Sequence, residues 1–139
     1  MAIKAANYGN SAILIKKFCR YYEIFYMLWR RNKMAIIHVA SNKLEKYINK
    51  DKVVLLNFSA TWCGPCIRYG EILKQLDEEF GDSVQIVKVD IDKYPKLAKG
   101  FNVMGIPNSR FYFNNQFEQP FFGGSLKKLK EEVLRIKAK

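Results

Sequence analysis

Two apolar runs, Val53–Phe58 and Val84–Ile91, lie on either side of a stretch, 63–80, whose apolar residues recur with the period of a helix. This arrangement constrains the fold more than any other feature of the 139 residues. The first run is interrupted only by Asn57, and a run without polar alternation suits a strand covered on both faces. Ile67, Ile72, Leu73, Leu76 and Phe80 predict the helix, and Gly81 stops it. Val84, Ile86, Val87, Val89 and Ile91 predict a second buried strand. Strands that alternate with helices pair in parallel, the helix crossing over one face of the sheet.

The remaining segments fit around this unit. Ser41 or Asn42 caps a short helix through Leu44 and Ile48, and another fits 94–100. After Gly105-Ile106-Pro107, Phe111-Tyr112-Phe113 predicts a third strand, Asn114-Asn115 a turn, and Phe117 to Phe122 a fourth strand, the last two forming a hairpin. Ser125 caps a final helix with Leu126, Leu129, Val133, Leu134 and Ile136 on one side. From residue 42 the order is α-β-α-β-α-β-β-α, so the expectation is an α/β fold with a mixed central sheet and helices on both faces.

The chain carries a net charge of +11, unevenly spread. Residues 1–33 hold seven basic residues against Glu23 alone, a balance of +6, and residues 34–139 hold +5. This places a boundary near Met34, between a basic extension, 1–33, and a domain, 34–139. Leu14, Phe18, Tyr21, Phe25 and Leu28 recur at steps of four and three opposite Lys16, Arg20 and Arg30, the pattern of a basic amphipathic helix over 12–31. Such a segment lies on an anionic membrane surface, acts as an organelle presequence, or is an inert extension. Arg20 and Glu23 interrupt it as an anchor, and no run of 18 uncharged apolar residues exists elsewhere. A high positive charge also raises nucleic-acid binding, but no helix-turn-helix, RNA-binding signature or aromatic platform accompanies it, so nucleic acid is not an expected partner.

Trp62-Cys63-Gly64-Pro65-Cys66 falls at the junction of the first buried strand and the long helix. Cys63 at the helix N-terminus meets unbonded N–H groups and the positive end of the dipole, which favour a thiolate. Cys66 lies one turn later on the same face, near enough for a disulfide. Pro65 is tolerated in the first turn, and Gly64 removes bulk beside the attacking sulfur. Cys63, exposed, attacks a substrate disulfide, and Cys66, buried, resolves the mixed disulfide. Zinc needs four ligands, and only Cys19 and His38 remain, neither at ligand spacing, so no metal is expected.

Asn57-Phe58-Ser59-Ala60-Thr61-Trp62-Cys63-Gly64-Pro65-Cys66 closely resembles the active-site segment of thioredoxins. Val89-Asp90-Ile91-Asp92, Gly105-Ile106-Pro107 and Gly123 follow in the order and spacing of that family, and the resemblance covers about residues 36–137. It implies a thioredoxin-like three-layer sandwich. It implies that Pro107 is a cis-proline facing the cysteines, and that Ile106 offers its backbone to an extended substrate. Trp62, Gly64, Pro65 and Gly123 would frame a flat apolar surface around Cys63. The implied activity is reduction of disulfides in substrate proteins by a monomer with no bound cofactor. Electrons would come from NADPH through a thioredoxin reductase, and the address would be cytoplasmic. The alternative is a mitochondrial or other organellar address if residues 1–33 act as a presequence, or a membrane-associated module serving a dedicated partner.

The chain departs from the family pattern in places. Asn57 stands where thioredoxins carry a buried aspartate, and an amide cannot act as a general base. Lys88, the matching family lysine, then lacks its carboxylate. Asn108-Ser109-Arg110 follows Pro107 where the family has threonine and apolar residues, and Arg110 is expected at a solvated strand end. Phe111, Phe113, Phe121 and Phe122 are expected in the core.

Overall fold

Residues 20–26, 28 and 36–139 are described by the computed structural model of the chain. The chain divides into two units, Met1–Lys33 and Met34–Lys139. In the first, residues 20–26 are helical, with Tyr21, Tyr22, Ile24 and Phe25 exposed. Leu28 apart, the rest of the helix expected over 12–31, and Cys19 with it, lies outside the described residues.

The second unit is built on β2, Val53–Ser59, whose first six residues are all buried. β3, Val84–Asp90, runs parallel to it with Val53 opposite Val84 and Asn57 opposite Lys88. The 17-residue helix α1, Gly64–Phe80, makes the crossover between them. On the other side of β2 lies β4, Asn108–Phe113, antiparallel, with Asn57 opposite Ser109. β1, Ile37–His38, adds to the free edge of β3 in parallel. Beyond β4 come β5, Gln116–Phe117, and β6, Phe121–Phe122, both antiparallel to β4. Asn114 and Asn115, at φ of 50° and 63°, make the two-residue turn before β5, the geometry that matches the twist of a hairpin.

Two cores fill the two faces of the sheet. α1 and the last helix α3, Leu126–Lys137, cover one face, packing Tyr69, Leu73, Leu76, Leu129, Val133 and Ile136 onto Val53, Leu55, Val84, Ile86 and Phe111. Alternate residues of the same strands, Val54, Leu56, Phe58, Val87 and Val89, pack on the other face with Leu44 and with Leu97 of the short helix α2, Pro95–Gly100. Each such leucine, isoleucine or phenylalanine contributes about 2–3 kcal/mol by leaving water. The mixed sheet with helices on both faces matches the sequence expectation.

Three local expectations need correction. The helix expected from Ser41 or Asn42 is one 3₁₀ turn, Leu44–Lys46, with no side-chain cap; the Ser41 hydroxyl accepts instead from Tyr47 and from the Lys43 amide. The strand expected over Phe117–Phe122 is two short pieces, because Pro120 has no N–H to donate and the chain leaves the ladder around it. Phe111 is core as expected, and Phe113 and Phe121 are partly buried, but Phe122 is 65% exposed. It follows Phe121 on a two-residue edge strand, so it points to the opposite side.

Candidate active site

Cys63 is the N-cap of α1, placed where β2 ends. Its sulfur accepts a hydrogen bond from the Cys66 backbone amide at 3.2 Å, so one of the helix's unbonded N–H groups is aimed at Sγ. Pro65 fills the first turn, where it removes no helical hydrogen bond. The Cys63 and Cys66 Cα atoms are 5.2 Å apart and their sulfurs form a disulfide. Both residues are buried, 5% and 4% exposed, so the expected contrast between an exposed first and a buried second cysteine is absent. Ala60, Ile91 and Ile106 pack around the pair.

Behind the pair, Asn57 is 1% exposed and its amide nitrogen is directed toward β4. Its Nδ2 donates to Ser109 Oγ at 3.0 Å and to the Asn108 carbonyl at 3.4 Å, and Ser109 Oγ in turn donates to the Tyr69 hydroxyl at 3.2 Å. A neutral chain of hydrogen bonds thus ties β2, β4 and α1 together one turn beyond Cys66. Burial pushes the Tyr69 phenol up to about 12, although its bond to Ser109 opposes the shift. Lys88, opposite Asn57 on β3, reaches toward Gly70, with its Nζ 3.7 Å from the place a Gly70 Cβ would take. Burial, then the nearby Lys74, holds the Lys88 amine below its ordinary value, while Glu71 acts the other way. Lys88, His38, Ser59 and Asp90 line a cavity of about 180 Å³ against Cys66.

In front of the pair, the Ile106–Pro107 peptide is cis, as expected, and Ile106 packs against both cysteines. Trp62 is 68% exposed, and its indole N–H donates to Asp92 Oδ2 at 2.9 Å, a tie between the motif and the β3–α2 loop that residue order did not reveal. Pro65, Gly105, Ile106, Pro107 and Gly123 line one groove, and Trp62 and Gly64 are not among its lining residues. Gly124 has the sharper steric demand: a Cβ there would come within 2.9 Å of the Phe121 ring, at a φ of 132°. Gly64 has open space around it.

Arg110 is not at a solvated strand end. It lies opposite Leu56 of the central strand β2, so its side chain emerges over the core. Its Nη2 donates to the Phe101 carbonyl at the end of α2, and its guanidinium stands 5.5 Å from the centre of the Phe101 ring. Two buried atoms nearby, Arg110 Nε and Asn108 Oδ1, have no partner among the described residues. Among the described residues no group of three or more histidines, cysteines and carboxylates is placed to hold a metal.

The thioredoxin family profile matches residues 35–135. This chain belongs to the thioredoxin family. It is 33% identical to "Thioredoxin Y1, chloroplastic" of Arabidopsis thaliana over 65% of this chain and 55% of that protein. It is 38% identical to a thioredoxin-like protein of Synechocystis over 53% and 70% of the two chains. The chain therefore spans about half the length of the first of these relatives. The solved thioredoxin of Malassezia sympodialis superposes with a TM-score of 0.65 at 28% identity, over 73% of this chain and 90% of that one. The thioredoxin cysteine pair is thus present as a disulfide at the strand–helix junction, with the cis-proline loop against it.

Tyr69 makes the neutral network testable. Its folded pKa, about 12, lies above its ordinary value of 10, so the stability it supplies is complete below pH 10 and is lost as pH rises through 12. Tyr69→Phe is expected to cost about 1 kcal/mol at neutral pH by removing one buried hydrogen bond, and to lose less stability than wild type between pH 10 and 12. Denaturant unfolding across that range measures both.

Proposed function

We propose that the chain reduces disulfides in other proteins by dithiol–disulfide exchange. The observation that carries this reading is the Cys66 N–H directed at the Cys63 sulfur at the head of α1, with Cys66 itself within bonding reach. The helix end stabilises negative charge on Cys63 and lowers the pKa of its thiol, so a larger fraction is thiolate at neutral pH. The Cys63 thiolate attacks one sulfur of the substrate disulfide and displaces the other as a thiolate. Cys66 then attacks the Cys63 sulfur and releases the second substrate thiolate. Two electrons pass to the substrate, and the pair is left as the Cys63–Cys66 disulfide. The family relationship supports its return to the dithiol by a thioredoxin reductase drawing on NADPH, with no cofactor held by this chain.

Trp62, Gly64, Pro65, Ile106, Pro107 and Gly123 are read as the substrate surface. Ile106 would pair its backbone with an extended substrate segment in the manner of an added strand. Asn57 and Lys88 are read as tuning the pair from behind. The amide of Asn57 cannot take the proton of Cys66, so that proton leaves through the cavity lined by Lys88, His38 and Asp90. Residues 34–139 are read as the redox domain, working as a monomer, and residues 1–33 as a separable extension.

The chloroplastic designation of the Arabidopsis relative favours an organellar address over a cytoplasmic one, with the acid-poor residues 1–33 as the signal. Nothing in the comparisons favours a membrane-associated module with a dedicated partner, and no described helix is long and apolar enough to cross a membrane.

In an insulin-type reduction assay, wild type should run well above the free-dithiol background and Cys63→Ser should fall to it. Cys66→Ser should accumulate a mixed disulfide through Cys63. A wild type at background refutes the reading. Asn57→Asp is expected to speed single-turnover release of the reduced substrate about tenfold by restoring a base. An unchanged rate would make Asn57 a packing residue only. Residues 1–33 fused to a fluorescent protein should collect in an organelle, and a diffuse signal counts against the address.

A further inference from the structure

The groove beside the cysteine pair has two walls of different character. One is a stripe of α1, Pro65, Arg68, Tyr69 and Ile72, spaced at three, four and seven residues and so on one face of the helix. The other is the cis-proline loop together with Phe122, Gly123 and Gly124. The groove has a volume of about 420 Å³. Its helical wall rises by about 10 Å from Pro65 to Ile72, the length of about three extended residues. It is therefore longer than the contact the cysteines themselves require.

Apolar surface lies open to water around it. Phe122 is 65% exposed and Met104, on the cis-proline loop, is 92% exposed. Phe122 at this edge is the residue that sequence periodicity assigned to the core. Among the described residues no Asp or Glu lines the groove, and Arg68 is its one charged lining residue. At the Gly124 end the groove meets the first turn of α3, where the Lys128 Cβ stands 3.9 Å from the place a Gly124 Cβ would take. Arg68 and Lys128 are exposed and form no ion pair among the described residues. Of the basic residues further along the two helices, Lys74 pairs with Glu71, Lys130 with Glu79, and Arg135 with Glu118 and Glu132, whereas Lys137 at the far end has no ion pair among the described residues. Two unpaired cations thus stand at an apolar groove, one within its wall and one at its end.

We propose that this groove selects its substrates by charge: it takes an extended protein segment that is apolar beside its disulfide and acidic over the next few residues, with Arg68 and Lys128 receiving the carboxylates. The proposal rests on the reductase reading and names the substrate class for it. Rim charges of this kind act mainly on the rate of encounter and on the choice of partner, and salt screens them. Arg68 and Lys128 are specificity residues in this scheme, remote from the sulfur chemistry.

The test uses the reduced full-length chain and two synthetic peptides. Each carries one cysteine as a mixed disulfide with 5-thio-2-nitrobenzoate, then one leucine, then three glutamates or three lysines. Attack of the Cys63 thiolate on the peptide sulfur forms the Cys63–peptide disulfide and expels the coloured thiolate, which leaves first because its thiol has the lower pKa. Each second-order rate constant is divided by that for 2-mercaptoethanol, which removes the intrinsic difference between the peptides. The expected result is a preference for the glutamate peptide of about tenfold in low salt, collapsing toward unity near 1 M salt. Arg68→Glu and Lys128→Glu should each reduce the preference by threefold or more, and a melting curve checks that each variant is folded. A wild-type ratio of one in low salt, with both peptides attacked well above background, overturns the charge selection and leaves the reductase reading standing. A preference unchanged in both variants overturns the assignment to this groove. Attack no faster than background on either peptide overturns both readings.

Discussion

The parallel pairing of β2 with β3 is the constraint on which the rest of the structure depends. Two parallel strands cannot be joined by a tight turn, so the chain must cross a face of the sheet before β3 begins, and α1 makes that crossing. The helix has to start where β2 ends. The carboxyl end of a buried strand and the amino end of a 17-residue helix are thereby forced together, and Cys63 stands at the joint. The strand fixes its position, and the unbonded amides of the helix supply the electrostatics. The same pairing sets Asn57 beside Lys88, and the antiparallel addition of β4 brings Ser109 to the other side of Asn57.

Much of this was legible in the sequence because it depends on residues acting locally. The runs at Val53–Phe58 and Val84–Ile91 could bury themselves only as interior strands, and the spacing of Leu73 and Leu76 admitted only a helix. The Cys63–Cys66 spacing carried its chemistry with it. What stayed hidden was decided by distant partners. Arg110 looked like a solvent-facing residue until the register against Leu56 turned it over the core to meet Phe101. Phe122 looked like core until the break at Pro120 left it on a two-residue edge. The tie from Trp62 to Asp92 spans 30 residues, and no local pattern announces it. Cys63 was expected to be exposed because nothing in the motif says that Ile91 and Ile106 will close over it.

The site is asymmetric about the disulfide. In front of it the surface is apolar and open, with Trp62, Met104 and Phe122 in water. Behind it the surroundings are polar, and their central element is uncharged: Asn57, Ser109 and Tyr69 share hydrogen bonds, and burial keeps the Tyr69 phenol neutral well beyond the physiological range. A neutral layer of this kind costs less to bury than a lone carboxylate. Lys88 and Asp90 of β3 are the charged residues that line the cavity against Cys66 among the described residues.

Asn57, Ser109 and Tyr69 also bear on how such a chain can change over generations. The three groups sit on three different elements and share hydrogen bonds, so replacing one removes a bond from its neighbour. The three positions are therefore epistatic. What looks like one unusual residue behind a conventional motif is a commitment shared by three positions.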